Sequence, residues 1–76
     1  MNKYIILKNV RLRAGLSQKE VGDFIGVERS TISSYERGQT RPTFDTILEI
    51  FEACNCELQF KINGKILTLK EMERDY

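Results

Sequence analysis

The 76-residue chain has no histidine and no tryptophan, one proline and only two cysteines. Without histidine, a zinc site of cysteine and histidine ligands is excluded, and Cys54 and Cys56 alone are too few. Free thiols in a small domain are typical of a reducing compartment. No apolar run approaches the roughly 20 residues of a membrane span, and residues 1–7 are too short and polar for a signal peptide. We therefore expect a cytoplasmic protein with no metal, no cofactor and no membrane contact.

The chain also lacks the residue combinations that support catalysis. No histidine is available as a general base, and no serine or cysteine has an obvious base partner. No glycine-rich phosphate loop is present, and the carboxylates are scattered over positions that we expect to be exposed. The sequence therefore predicts a protein that is not an enzyme.

The length allows one domain, and the charges divide it into two parts. A domain this short buries only roughly 60% of its unfolded surface, so it needs very regular packing or a partner subunit. The net charge is +1, but residues 1–42 contain eight basic and four acidic residues, whereas residues 43–76 contain four basic and seven acidic residues. We expect the N-terminal part to face a polyanion and the C-terminal part to face away from it.

Apolar spacing and capping signals predict four helices in residues 1–55. The first spans residues 2–14 and ends before Gly15. The second begins after the capping box Ser17-Gln18-Lys19-Glu20 and ends at Gly26. The third begins near Arg29 and ends at Gly38, and Thr43 caps the fourth, which ends near Cys54. The predicted buried positions are Leu7, Val10 and Ala14; Val21, Phe24 and Ile25; Ile32 and Tyr35; and Phe44, Ile47, Leu48 and Phe51.

Residues 56–76 change to a period of two, which predicts a β-hairpin and tail. Asn63-Gly64 is the strongest short hairpin signal because both residues tolerate the positive φ of a type I′ turn. The second strand is predicted over residues 65–70. A two-residue turn pairs Ile62 with Lys65, Phe60 with Leu67 and Leu58 with Leu69. One apolar face therefore consists of Leu58, Phe60, Ile62, Leu67 and Leu69.

Residues 18–37 have the pattern of a helix-turn-helix. The turn at Gly26-Val27 needs a backbone conformation that only glycine reaches without strain. Two helices that cross steeply need a small residue at their closest approach, and Gly22 supplies one.

The chain resembles the Cro/cI-type repressors, also called the Xre family, over about residues 5–54. The similarity lies in four runs, Leu16-Ser17-Gln18-Lys19-Glu20-Val21-Gly22, Ile25-Gly26-Val27, Ser30-Thr31-Ile32-Ser33 and Tyr35-Glu36-Arg37-Gly38. The resemblance implies a mainly α fold, namely a four-helix lambda-repressor-like domain over residues 1–55, here with a C-terminal β-hairpin. It also implies a double-stranded DNA-binding regulator that acts as a dimeric repressor.

The resemblance assigns roles to individual residues. Base contacts are implied for Arg29, Ser30, Ser33 and Ser34, with the arginine suited to guanine O6 and N7. Phosphate contacts are implied for Ser17, Gln18, Thr31, Arg37 and Arg41. A structural salt bridge is implied between Arg11 and Glu36, which would tie the first helix to the third near the DNA backbone. Glu28 departs from the serine or threonine common in the family, and its charge disfavours a phosphate role.

The hairpin leaves two alternatives for its apolar face, because an isolated two-stranded ribbon is marginal in water. It folds back on the fourth helix, or it joins the hairpin of a second subunit. We favour a homodimer, because helix-turn-helix proteins read two half-sites about one helical turn apart. A C-terminal strand is also similar to HipB-type antitoxins, which gives an alternative function: an antitoxin that binds a toxin protein and regulates its own operon.

Overall fold

A computed structural model describes residues 1–74; the last two residues of the predicted C-terminal segment, Asp75 and Tyr76, lie outside the described residues. Four helices precede a β-hairpin, and a single helical turn follows it. The elements are α1 (Ile5–Arg13), α2 (Gln18–Ile25), α3 (Arg29–Glu36), α4 (Phe44–Ala53), β1 (Gln59–Ile62), β2 (Lys65–Thr68) and α5 (Leu69–Met72). This mainly helical architecture with one two-stranded antiparallel sheet confirms the predicted fold class.

The core lies where α1 to α4 meet. Its buried apolar residues come from all four helices and the cap of the last one: Leu7, Val21, Ile32, Ile50, Phe51 and Cys54. Val21 is completely buried and Ile32 is 1% exposed. Val21 belongs to α2 and Ile32 to α3, the two helices of the helix-turn-helix. Burial of both side chains therefore fixes the position of α3 against the rest of the domain.

The capping residues explain where three helices begin. The Ser17 hydroxyl accepts from the Glu20 N–H at 3.0 Å, and the Ser17 N–H donates to the Glu20 carboxylate at 2.9 Å, which completes the predicted capping box. The Thr43 hydroxyl accepts from the Thr46 N–H at 3.1 Å, as expected for the cap of α4. A second capping box joins Thr68 to Glu71 and starts α5.

Three residues predicted to be buried are exposed instead. Phe24 is 63% and Phe44 is 65% exposed, and Ala14 lies on the surface beyond the end of α1. The fourth helix and its C-cap present Ile47, Ile50, Phe51 and Cys54 to the core, so the buried stripe includes Ile50 and Cys54 in place of the predicted Phe44 and Leu48. Helix α1 also begins at Ile5, three residues later than predicted.

The hairpin has the predicted turn and register. Asn63 and Gly64 have φ values of 52° and 78°, and Phe60 pairs with Leu67 while Ile62 pairs with Lys65. The second strand ends at Thr68, so the predicted Leu58–Leu69 pair and the strand at residues 69–70 are wrong. The Thr68–Glu71 capping box turns the chain into α5 at that point.

None of the helices within residues 1–74 has the length and apolar character that crossing a bilayer requires.

Candidate nucleic-acid interface

A tight turn between α2 and α3 sets the crossing of the two helices. Gly26 has a left-handed conformation with φ of 80°, and its N–H donates to the Gly22 carbonyl at 2.9 Å. The Val27 N–H donates to the same oxygen at 2.9 Å. A Cβ atom on Gly22 would lie 2.7 Å from the Val27 carbonyl oxygen. Glycine at position 22 therefore permits the close approach of the two helices, as predicted.

A buried ion pair connects α1 to the end of α3. Arg11 Nε lies 2.7 Å from Glu36 Oε2, and Arg11 Nη2 lies 3.0 Å from Glu36 Oε1, which is a bidentate arrangement. Arg11 Nη1 also donates to the Leu16 carbonyl at 2.9 Å, and Gln18 Nε2 donates to Glu36 Oε1 at 3.1 Å. The two charged residues are only 7% and 3% exposed. One carboxylate therefore holds α1, α2 and α3 in a single arrangement.

The outward face of α3 presents the four side chains to which base contacts were assigned. Arg29 and Ser30 are exposed at the first turn, and Ser33 and Ser34 are half-buried one turn later. Residues four apart lie on one side of a helix, so these residues form a single strip opposite the buried Ile32. The strip offers one guanidinium and three hydroxyl groups.

The N-terminal end of α3 has no side-chain cap. Glu28 occupies the cap position, but its side chain accepts no hydrogen bond from the helix. Within residues 1–74, the backbone N–H groups of Arg29 and Ser30 have no acceptor. Free N–H donors and the helix dipole make this end of α3 suitable for an anion or a base acceptor.

The start of α2 differs from the expectation in one respect. The Gln18 side chain is half-buried and points to Glu36, so it is not directed to solvent. The backbone N–H groups of Gln18 and Lys19 have no acceptor among the described residues. The Ser17 backbone N–H and hydroxyl lower the pKa of Glu20 from its ordinary value, so the carboxylate stays charged beside this helix end. A phosphate at this end of α2 would therefore meet backbone donors and a neighbouring negative charge.

Two of the other residues assigned to phosphate, Arg37 and Arg41, follow the C-terminal end of α3, whereas Thr31 lies in its first turn. Arg37 is exposed, and its Nε donates to the Ser33 carbonyl at 3.3 Å. Arg41 is exposed in the loop between α3 and α4, and Thr31 is half-buried on the side of α3. The structure brings Arg37 and Arg41 to one cleft, and Ser17, Gln18 and Thr31 are not among the residues that line it.

Two contacts were missed in the sequence. The Ser34 and Thr40 hydroxyl oxygens lie 2.7 Å apart, which fixes the loop after α3 against the outward strip. Asn2 Nδ2 donates to the Glu36 carbonyl at 2.7 Å, and Asn2 Oδ1 accepts from the Tyr4 N–H at 3.0 Å. The second bond is a local turn that asparagine favours, so the sequence offered a signal for this turn but none for the contact with Glu36.

The cysteines do not form part of this interface. Both are free, and Cys54 is buried in the core. Burial raises the pKa of the Cys54 thiol, which keeps it protonated and unreactive. Among residues 1–74, no three histidine, cysteine, aspartate or glutamate side chains are grouped so that they could hold a metal ion.

Comparison with known proteins agrees with this geometry. A helix-turn-helix family model matches residues 7–61. The HTH-type transcriptional regulator ImmR of Bacillus subtilis (strain 168) is 32% identical over 91% of this chain and 54% of its own length. The uncharacterized HTH-type transcriptional regulator YgzD of the same organism is 32% identical over 70% of this chain and 80% of its own length.

A third relative is the SPbeta prophage-derived uncharacterized HTH-type transcriptional regulator YonR, 29% identical over 76% of this chain and 54% of its own length. The chain thus spans about half the length of ImmR and of YonR. No solved structure matches the chain. The relatives bear the names of regulators and not of enzymes, in agreement with the prediction that the chain is not an enzyme. The chain therefore belongs to the helix-turn-helix family, within the Cro/cI-type (Xre) group of transcriptional regulators.

Proposed function

We propose that this chain is a sequence-specific, double-stranded DNA-binding transcriptional regulator that places α3 in the major groove. The observation on which the proposal rests is the outward strip of α3, where Arg29 and Ser30 are exposed beside two free backbone N–H groups. The major groove is about 12 Å wide and admits an α-helix. Base edges are then read by the start of α3, as in other helix-turn-helix proteins.

Arg29 is the main determinant of specificity in this proposal. Its guanidinium can donate two parallel hydrogen bonds to O6 and N7 of one guanine, a contact worth about 1–3 kcal/mol of discrimination. Ser30 and Ser33 donate to or accept from either base type. Ser34 is already engaged with Thr40, so it reads a base only by sharing or exchanging that hydrogen bond.

Two further sets of groups are available for phosphate. The first is the start of α2, where the backbone N–H groups of Gln18 and Lys19 have no acceptor among the described residues. The second is the C-terminal end of α3 and the loop after it, where Arg37 and Arg41 supply positive charge. These contacts fix the register of α3 in the groove but do not distinguish sequences.

We further propose that the protein acts as a homodimer through its hairpin. Leu58 packs against the core, but Phe60, Ile62 and Leu67 are not among the apolar residues that contact it. Phe60 and Leu67 are half-exposed, and Ile62 is 44% exposed. Leu69 borders a groove of about 620 Å³ between α4 and the base of the hairpin, which Leu48 and Phe51 also line. A second copy would cover this apolar surface, which a domain of this size can hardly leave in water.

A dimer of this kind reads an inverted repeat and represses transcription by occupying the site that polymerase needs. Two modules double the number of phosphate contacts, and each phosphate contact strengthens binding at low salt. The half-sites are expected to have centres about 10 base pairs apart, or a multiple of that distance.

Selection of bound duplexes from a random pool at about 0.15 M salt tests the proposal. An enriched inverted repeat is the expected result. Substitution of Arg29 by alanine should then relax the preference at one base pair, whereas substitution of Arg37 by alanine should weaken binding equally on all sequences. Equal losses for both variants on every duplex would show that Arg29 contacts phosphate. No enrichment at all would contradict sequence-specific reading.

The dimer is tested by one substitution with a matched control. Leu67→Lys places a charge on the apolar face, and Ile66→Lys places the same charge one residue away on the opposite, 60% exposed face. Sedimentation should show monomers for the first variant and dimers for the second. Dimers for both variants would place the subunit interface elsewhere.

The antitoxin hypothesis stays a prediction from the sequence alone. None of the three relatives is named as an antitoxin, and no contact in the described residues favours a toxin over a second copy as the occupant of the hairpin face.

A further inference from the structure

An open cleft of about 350 Å³ lies between the N-terminal segment and the end of α3. Residues 1–4 form one wall, and Arg37, Gly38 and Arg41 form the other. Three of the lining residues are cationic, namely Lys3, Arg37 and Arg41, and none of the lining residues within 1–74 is acidic. Exposed cations that share an open cleft repel one another weakly in water, and an anion bound between them would be attracted to all three.

Asn2 fastens the N-terminal segment in place. Its amide donates to the Glu36 carbonyl and accepts from the Tyr4 N–H, so it bridges the end of α3 and the start of α1. Gly38 completes the arrangement, since a Cβ atom there would lie 2.6 Å from Asn2 Oδ1. The cleft is therefore built by specific contacts between segments that lie 34 or more residues apart in sequence. These contacts hold the backbone beside Lys3 in a fixed position.

The cleft and the outward strip lie along the same helix, α3. Helix α3 has eight residues, which at 1.5 Å per residue span about 12 Å. The cleft lies at the C-terminal end of this helix, and Arg29 lies at the other end. A helix that reads bases with its first turn thus reaches the edge of a groove about 12 Å wide with its last turn, where the phosphates lie.

We propose that this cleft binds a phosphate group of the DNA backbone and that Lys3 is a ligand of that phosphate together with Arg37 and Arg41. The inference rests on the proposed function, because it places the phosphate beside a recognition helix. Lys3 supplies a mobile point charge, and the two arginines supply planar donors. Asn2 is a positioning residue, which acts on the phosphate only through Lys3.

A purely structural role gives a different expectation. Basic side chains near a helix C-terminus interact favourably with its dipole, and Lys3 also lies 5.9 Å from the centre of the Tyr4 ring. If these interactions were the whole role of Lys3, its removal would lower the melting temperature and leave the salt dependence of DNA binding unchanged.

The experiment measures the dissociation constant for a duplex at 50 to 200 mM salt for the wild type, Lys3→Ala and the control Lys61→Ala. The control removes the same charge from an exposed position on β1. Each lost phosphate contact makes the negative slope of log K against log salt shallower by about 0.9. Between 50 and 200 mM salt, the affinity of each bound protomer then falls by about threefold less than that of the wild type. We expect this reduction for Lys3→Ala, on specific and unrelated duplexes alike, and none for Lys61→Ala.

Equal slopes for Lys3→Ala and Lys61→Ala, with wild-type binding intact, would overturn the cleft proposal and leave the proposed function standing. A wild type that binds no duplex would overturn both.

Asn2→Ala provides a second variant, because it keeps all charges and releases Lys3. It should reduce the slope in the same way as Lys3→Ala, and a wild-type slope in a folded Asn2→Ala protein would also contradict the proposal.

Discussion

Removal of either member of the Arg11–Glu36 pair should destabilise the domain more than most single changes. Both residues are almost completely buried, and Arg11 donates two hydrogen bonds to the Glu36 carboxylate. Loss of either residue removes both bonds. The hydrogen bond with Glu36 raises the pKa of Arg11, so the guanidinium is charged at any pH used for the experiment. Arg11→Met leaves the Glu36 carboxylate with Gln18 as its remaining partner, and Glu36→Leu leaves the guanidinium with the Leu16 carbonyl.

The magnitude follows from the burial of the pair. Breaking a buried ion pair costs about 3–5 kcal/mol because the remaining charge is uncompensated. A domain of this length has a total free energy of unfolding of about 4–11 kcal/mol, so either single variant loses a large share of it. Replacing both residues by apolar ones of similar volume removes the uncompensated charge. The double variant is therefore expected to lose less than about 2 kcal/mol.

Thermal unfolding followed by circular dichroism measures the cycle. A loss of 1 kcal/mol lowers the melting temperature by about 4–8 °C in a domain of this size, so each single variant should melt at least about 12 °C below the wild type. Arg11→Met/Glu36→Leu should melt above both single variants. Additive losses, with the double variant as the least stable protein, would refute the view that the two side chains act as a pair.

Two further predictions concern the helix ends and their crossing. Gly22→Ala should lower the free energy of unfolding by about 2 kcal/mol. A Cβ atom 2.7 Å from the Val27 carbonyl oxygen costs up to about 3 kcal/mol of overpacking, and alanine regains about 1 kcal/mol through its higher helix propensity. An unchanged or raised melting temperature would show that α3 moves away without cost. The pKa of Glu20 is lower in the folded protein than its ordinary value of 4.5. The carboxylate therefore contributes its full capping stabilisation at any pH above 4.5, and this stabilisation is lost as the pH falls through the lower pKa of the folded state. The urea midpoint of Glu20→Ala should thus lie below that of the wild type at pH 7 and approach it at pH 2–3, whereas a constant difference would contradict the capping role.

Local signals predicted the parts of the fold that local chemistry decides. The Ser17 capping box, the Gly26 conformation and the Asn63-Gly64 turn depend on neighbouring residues, and all three are present. The Thr68–Glu71 box is the same kind of signal as the one at Ser17. The alternating apolar pattern of the same residues predicts a strand, and the capping box ends that strand at Thr68.

The misplaced residues depend on tertiary packing instead. Phe24 and Phe44 satisfy the helical period but lie at the edge of the buried stripe, and a four-helix core of this size covers only part of each helix. Large apolar residues on a surface are common because polar atoms are too few to cover a small protein. The role of Asn2 depends on its meeting with Glu36, 34 residues away in sequence, and no local pattern encodes such a contact.

The outward strip of α3 has a consequence for how such a protein changes over generations. Arg29 and Ser30 are exposed and make no side-chain contact with the core, and the position of α3 is set by Ile32 and Glu36 on its other side. Substitutions at exposed positions usually alter the free energy of unfolding by less than about 0.5 kcal/mol. Under the proposed function, a lineage can therefore acquire a new operator by replacing one or two residues of this strip, while the same framework continues to fold and to present them.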